Sequence, residues 1–315
     1  MKKILVTGAC GQIGSELVDA LRKKYDTACV IATDIIEPTE NMLKQGPFEL
    51  VDVLNQSTLE VVIEQYDIDV IYHLGAILSA SGEENPQACF HVNVLGLYHV
   101  LEAGLKHGLI RIIFPSSIAV FGPKAPPDHT PNETILRPIT IYGVTKVTGE
   151  LLGNYYFNRF GLDVRGVRLP GIISSKTPPG GGTTDYAVEM FYAAIKTGHY
   201  TCFVKEDTVL PFMYIPDAIN ALIGVAEADL SNLKHHCDYN VNSMSFSAGE
   251  LAQSIQEIIP EFSCEFKPDH RQEIADSWPN SIDDSAAREE WGWQPEYDLP
   301  AMAKDMIAKL KKKLT

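Results

Sequence analysis

The chain has 315 residues, enough for one large or two moderate domains and for a full hydrophobic core without disulfides or metals. Hydrophobic residues make up 45% and charged residues 21%, which excludes disorder as the main state. The net charge of −15 argues against a nucleic-acid binder and favours a protein that handles small molecules.

In chain order, Lys3–Thr7 is a short apolar run closed by Gly8, and Gln12–Lys24 has helical periodicity, with Ile13, Leu17, Ala20 and Leu21 on one face. Further strands are predicted at Cys29–Thr33, Phe48–Val53 and Val70–Leu74. A helix is expected from about Pro86 to Lys106, a strand at Ile110–Ser116, a helix at Tyr142–Phe160 and a strand at Val164–Leu169. Strands alternating with helices imply βαβ units, hence an α/β, Rossmann-type doubly wound parallel sheet. The strands are nearly continuous apolar runs, as a sheet covered on both faces requires. Beyond Pro170 the segments are shorter and mixed, and Pro178–Gly182 can be neither helix nor strand. Residues 1–170 therefore read as a dinucleotide-binding domain carrying the Tyr142 helix. Residues 171–315 read mainly as a smaller C-terminal substrate-binding lobe, with some elements able to return to the main sheet.

The six cysteines have no zinc-type spacing, no metal-ligand cluster is visible, and a reduced cytoplasmic setting fits. The opening apolar run is too short for a signal peptide, and no run of 18 apolar residues exists, so no membrane partner is expected.

Gly8, Gly11 and Gly14 are spaced G-x-x-G-x-x-G between the first strand and first helix. Gly8 suits a tight turn, Gly11 a close backbone approach to a pyrophosphate, and Gly14 close packing of helix on strand. The helix N-terminus then offers free N–H groups to phosphate. Asp34 ends the second strand, where a carboxylate accepts hydrogen bonds from the adenosine ribose and repels a 2′-phosphate. No Lys or Arg lies between Tyr25 and Leu43, so NAD is predicted over NADP. Asp52 reads either as a contact to the adenine edge or as a helix N-cap.

Tyr142 and Lys146 form Y-x-x-x-K on one helix face. A nearby ammonium favours the phenolate, so Tyr142 is a candidate general base. Ser117, at the end of the fifth strand, can orient a substrate hydroxyl. His73 is read as a packed histidine.

These residues, with His73-Leu74-Gly75-Ala76 and Asn93, resemble the extended short-chain dehydrogenase/reductase superfamily, which includes UDP-galactose 4-epimerase. Arg168–Ser174, the Pro179-Gly180-Gly181-Gly182-Thr183-Thr184-Asp185-Tyr186-Ala187 block, Leu210–Tyr214, Ser277-Trp278-Pro279 and Trp291-Gly292 look like the NAD-dependent L-threonine 3-dehydrogenases of the short-chain type. The likeness spans essentially the whole chain; Ser117 departs from it, since several members carry threonine there. It implies NAD contacts at Gly8, Gly11, Gln12, Ile13, Gly14, Asp34, Asp52, Val53, Leu74, Gly75, Ala76, Tyr142, Lys146 and Ile172. It further implies catalysis by Ser117, Tyr142 and Lys146, and substrate contacts at Ser79, Ser117, Tyr142, Thr183, Thr184 and Asp185. Loop N–H groups and threonine hydroxyls would hold the carboxylate of L-threonine, and Asp185 its ammonium; for Asp185 a helix N-cap is the other reading. The resemblance also implies a homodimer built on the Tyr142 helix and the one before it. Leu95, Val100, Leu101 and Leu105 either supply its apolar face or face the sheet. The competing functions are a nucleotide-sugar epimerase or dehydratase, and an NAD-binding scaffold without turnover.

Overall fold

The computed structural model describes residues 2–178 and 180–314; Met1, Thr315 and Pro179, within the expected Pro178–Gly182 loop, lie outside it. The first half runs β1 (Ile4–Thr7), α1 (Gln12–Lys24), β2 (Val30–Asp34), α2 (Glu40–Lys44), β3 (Phe48–Leu50), α3 (Gln56–Tyr66) and β4 (Val70–His73). It continues through α4 (Ser79–Glu84), α5 (Pro86–Phe90), α6 (Gly96–Lys106), β5 (Arg111–Ser117), α7 (Ile141–Phe160) and β6 (Asp163–Leu169). The second half runs β7 (Gly171–Ile173), α8 (Tyr186–Lys196), β8 (His199–Cys202), β9 (Val209–Tyr214), α9 (Ile215–Glu227) and β10 (Tyr239–Asn240). Then come β11 (Met244–Ser247), α10 (Ala248–Gln256), β12 (Ser263–Phe266), α11 (Arg271–Ala275), α12 (Ser285–Trp291) and α13 (Leu299–Leu314).

A seven-stranded sheet in the order β10-β6-β5-β4-β1-β2-β3 is parallel at every pairing. The strand order reverses between β1 and β4, where open α/β sheets form a ligand crevice. The sheet is Rossmann-type, as the alternation of apolar runs and helical segments implies. Its buried strand residues meet helices on both faces.

The chain returns to this sheet after residue 170. Strand β10 extends it beyond β6, and α9 packs on β5 and β6. The rest of the second half forms a three-stranded sheet, β11-β9-β7, and a parallel pair, β12-β8. One continuous core runs from β1 and α1 through α8, β9 and α9 to α13.

The expected helix Pro86–Lys106 is interrupted. Residues His91–Leu95 make a π-helical turn between α5 and α6. Such turns insert one residue into the helical ladder and re-aim a side chain. Here that side chain is Asn93, buried, with its Oδ1 accepting from the Ile77 N–H at 2.8 Å. Its Nδ2 donates to the Ile77 carbonyl at 3.0 Å and Thr145 Oγ1 at 3.1 Å, joining the segment after β4 to α7.

Candidate active site

The glycine turn closes at the sheet's switch point. Gly8 has φ +68°, and a Cβ there would stand 2.7 Å from the Gly75 nitrogen. A Cβ on Gly14 would stand 2.1 Å from the Gly8 carbonyl oxygen. Only glycine permits this approach of β1, α1 and the Leu74–Gly75 backbone. The N–H groups at the start of α1 then border an open cleft.

Asp34 stands at the tip of β2. Its Oδ2 accepts from the Cys10 N–H at 2.8 Å and its Oδ1 from the Ile35 N–H at 2.7 Å. The carboxylate is thereby fixed beside the glycine turn, as recognition of a ribose requires. These residues fit a dinucleotide: a cradle only glycine can line, a helix N-terminus behind it and an oriented acid at the next strand end.

Asp52 and Val53 do not reach the cleft lining. Asp52 is exposed and accepts from the Leu54 N–H at 2.9 Å; the N-cap of α3 is Asn55, so the N-cap reading of Asp52 is corrected. Val53 is buried against Gly96. The two sit next to β2, since the Val51 N–H donates to the Asp34 carbonyl at 2.9 Å.

The cleft, about 220 Å³, brings together Gly8, Gly11, Gln12, Ile13, Gly14, Leu74, Ala76, Ser79, Ser117, Tyr142, Lys146, Ile172, Thr184 and Asp185. Gly75 lies just behind, lining a small cavity with His73, Asn93 and Lys146. Gln12 spans the cleft mouth, its Nε2 donating to the Ile172 carbonyl at 3.2 Å.

At the floor, the tip of β5 meets α7. Ser117 stands beside the Tyr142 phenol, and the Lys146 Nζ donates to the Pro115 carbonyl at 2.8 Å. The Lys146 Nζ lies 5.4 Å from the Tyr142 ring centroid. Burial pushes the Tyr142 phenol up to about 12, opposed by the Ser117 hydroxyl. Burial brings the Lys146 ammonium down to about 8, opposed by Cys89 and Glu150. The expectation that Lys146 lowers Tyr142 is therefore not met by the chain alone. Loss of hydration is the largest influence on the enclosed phenol.

His73 is packed. Its Nδ1 is 2.8 Å from Thr7 Oγ1, and burial, then the Lys146 charge, pulls its imidazole down to about 3.

The residues expected to face a substrate come largely from a loop folded onto itself. Asp185 Oδ2 accepts from the Gly181 N–H at 2.9 Å and the Gly182 N–H at 2.8 Å. Asp185 makes no side-chain cap on α8, and the loop N–H groups expected for a ligand are turned to its carboxylate instead. Burial raises its carboxyl. Thr183 is fully buried: Ser79 Oγ lies 3.0 Å from its Oγ1 and accepts from its N–H at 3.1 Å. The Gly181 carbonyl accepts from the Ala80 and Ser81 N–H groups, and Glu83 of α4 accepts from the Ile141 N–H at 2.7 Å. Thus α4 connects the loop to the residue before Tyr142.

Trp278 completes the cleft wall from the far end of the chain. The sequence carried no local signal for this; only its place in a family-like stretch marked it. Leu78, Ser116, Ile118 and Pro170 were likewise missed as cleft residues.

Fold and cleft define an NAD-dependent enzyme of the short-chain dehydrogenase type. The chain belongs to the NAD dependent epimerase/dehydratase family, whose model matches residues 4–241. An uncharacterized epimerase/dehydratase of Staphylococcus saprophyticus is 48% identical over 98% of this chain and 96% of its own length. Among solved structures, a monomeric L-threonine 3-dehydrogenase of metagenomic origin is 48% identical with a TM-score of 0.96, over 99% of this chain and 100% of its own. The L-threonine dehydrogenase of Phytophthora infestans is 47% identical with a TM-score of 0.96, over the same shares. NAD is the cofactor.

Two outcomes follow from this geometry. Asp34→Ala raises the ratio of kcat/KM for NADP to that for NAD by about tenfold or more; an unchanged ratio in steady-state assays assigns cofactor choice elsewhere. His73 is neutral when folded, so its contribution to stability is fully present above about pH 6.5 and is lost as pH falls toward about 3. Urea titrations between those limits give wild type an extra loss approaching about 1.4 kcal/mol per pH unit relative to His73→Gln. Parallel slopes contradict the assignment.

Proposed function

We propose that the protein oxidises L-threonine at C3: L-threonine + NAD⁺ → 2-amino-3-oxobutanoate + NADH + H⁺. The observation that carries this reading is the lining of the cleft. Among the described lining residues Lys146 is the only basic side chain and Asp185 the only acid. Ser79, Ser116, Ser117, Thr184 and Trp278 also line the cleft, among apolar residues such as Leu78, Ile118 and Leu169. That set suits a small zwitterion. A nucleotide diphosphate asks for further cations along a longer groove. The likeness to L-threonine dehydrogenases across the whole chain supports the same reading.

NAD⁺, when bound, supplies the hydride acceptor. Gly8, Gly11, Gln12, Ile13 and Gly14 would hold the pyrophosphate, Asp34 the adenosine ribose with Asp52 and Val53 toward the adenine, and Leu74, Gly75, Ala76 and Ile172 the inner half. Tyr142 takes the proton from the C3 hydroxyl, which Ser117 orients. Lys146 sets the charge beneath Tyr142 and holds the nicotinamide ribose. Asp185 receives the substrate ammonium. Ser79, Thr183 and Thr184 form the hydroxyl wall toward its carboxylate, Thr183 acting through Ser79. Residues 1–170 serve the cofactor and 171–315 most of the substrate side.

In the test, purified protein, NAD⁺ and L-threonine yield NADH. Tyr142→Phe lowers kcat by about 10²–10⁴-fold, the range for loss of a general base. Turnover of a UDP-sugar with none of threonine moves the assignment to the epimerases. NAD⁺ binding with turnover of neither leaves a scaffold.

We also propose a cytoplasmic homodimer. Cys10, Cys89, Cys202, Cys237 and Cys264 form no disulfide, and among the described residues no helix is long and apolar enough to cross a membrane. Val100 and Leu101 face the sheet, whereas Leu95, Tyr98 and Leu105 are exposed, as are Val144, Leu151 and Tyr155 of α7. An apolar surface of this kind marks an interaction site. Sedimentation equilibrium gives a dimer for wild type and a monomer for Leu151→Glu; a wild-type monomer refutes the proposal.

A further inference from the structure

Three successive turns of α7 hold three successive residues at the tip of β5. Tyr142 stands beside Ser117, Lys146 donates to the Pro115 carbonyl at 2.8 Å, and Glu150 Oε1 accepts from the Ser116 hydroxyl at 2.5 Å. The first two contacts belong to the catalytic group. In the third, Ser116 borders the cleft, while the Glu150 carboxylate that holds it lies outside the cleft lining.

Glu150 is 3% exposed and Arg168, on β6, 2%. Their pairing is bidentate: Arg168 Nε to Glu150 Oε1 at 2.9 Å and Nη2 to Oε2 at 2.8 Å. Arg168 is fixed in turn, its Nη1 donating to the Asn132 carbonyl at 2.7 Å and Asn240 Oδ1 at 3.3 Å. Its guanidinium lies 5.2 Å from the Phe121 ring centroid. A buried ion pair is an inefficient source of stability, since well-packed apolar side chains often serve as well. What it adds here is geometry. A planar fork on β6 fixes a carboxylate on α7, which fixes the residue next to Ser117 on β5.

We propose that Glu150, held by Arg168, is a positioning residue that sets the height of α7 along β5 and so the Ser117–Tyr142–Lys146 geometry. The proposal rests on the reading of Tyr142 as the base.

The first test is Ser116→Ala, which cuts the link to β5 and leaves the buried pair intact. A misplacement below 1 Å is enough to slow chemistry, so kcat falls about tenfold while the KM for substrate and the Kd for NAD stay within about twofold. Ser116→Thr, which keeps the hydroxyl, restores kcat. Glu150→Gln, which breaks the fork, loses at least as much kcat as Ser116→Ala. Should Glu150→Gln fail to fold, the two Ser116 variants decide.

Wild type is run beside the variants on L-threonine and on UDP-sugars. Failure of the threonine reading shows in wild type, and failure of positioning shows in the ratio of variant to wild type on whichever substrate turns over. With no turnover on either, native-state hydrogen exchange decides. Amides of residues 142–146 exchange about tenfold faster in Ser116→Ala while those of α1 do not change. Wild-type kcat in Ser116→Ala, or unchanged exchange at 142–146 where nothing turns over, overturns the proposal.

Discussion

The active-site half of the molecule is organised by one constraint, the burial of the Lys146 ammonium under the sheet edge. Removing such a group from water costs several kcal/mol unless partners are built for it. Lys146 is 9% exposed and donates to the Pro115 carbonyl, with Glu150 one turn further along the same helix. Its other neighbours stay uncharged. His73 is held neutral far below its ordinary range, and burial raises the Cys89 thiol. Strands β4 and β5 and helices α5, α6 and α7 are thus fitted around one cation. The π turn at His91–Leu95 belongs to the same fitting, because it aims Asn93 at Thr145, the residue before Lys146.

Features encoded over a few consecutive residues were legible. The run Gly8–Gly14 states a backbone conformation that other residues cannot take, and Y-x-x-x-K states a helix face. The apolar runs state a sheet covered on both sides. Strand β3 ends earlier than its apolar pattern suggests, at Leu50 rather than Val53, because the chain turns there through Asp52 toward α3. The π turn was not legible, since its cause is tertiary: nothing in Phe90–Gly96 marks one extra residue per turn until Ile77 and Thr145 stand opposite Asn93.

Residues contributed by distant segments were legible only as types. Trp278 meets the cleft 93 positions after Asp185, the cleft residue before it in the chain, and nothing local signals that approach. Glu150 falls one turn beyond Lys146 and was open to notice, yet its partner Arg168 lies on another strand. Its burial becomes visible only when β5, β6 and α7 are in place. The second half as a whole read as a lobe because its elements are short; its return to the main sheet through β10 spans only two residues. A segment of that length leaves no periodic trace.

The loop before α8 shows how self-satisfaction and ligand recognition coexist. A carboxylate facing a cleft needs donors whenever no ligand is there, and the N–H groups of Gly181 and Gly182 both converge on Asp185 Oδ2. An ionised carboxylate has about four acceptor positions, so two internal donors leave capacity for an incoming ammonium. A Cβ on Gly182 would stand 2.7 Å from Asp185 Oδ1, so glycine there is what lets the loop wrap its own acid. The carbonyl of Gly181 meanwhile occupies the first amides of α4, and Glu83 of that helix holds the first amide of α7. A ligand that bonds to Asp185 therefore acts on a loop whose other contacts lead, through one short helix, to the backbone beside Tyr142. In the proposed reaction, recognition of the ammonium and placement of the base would share this connected set of contacts.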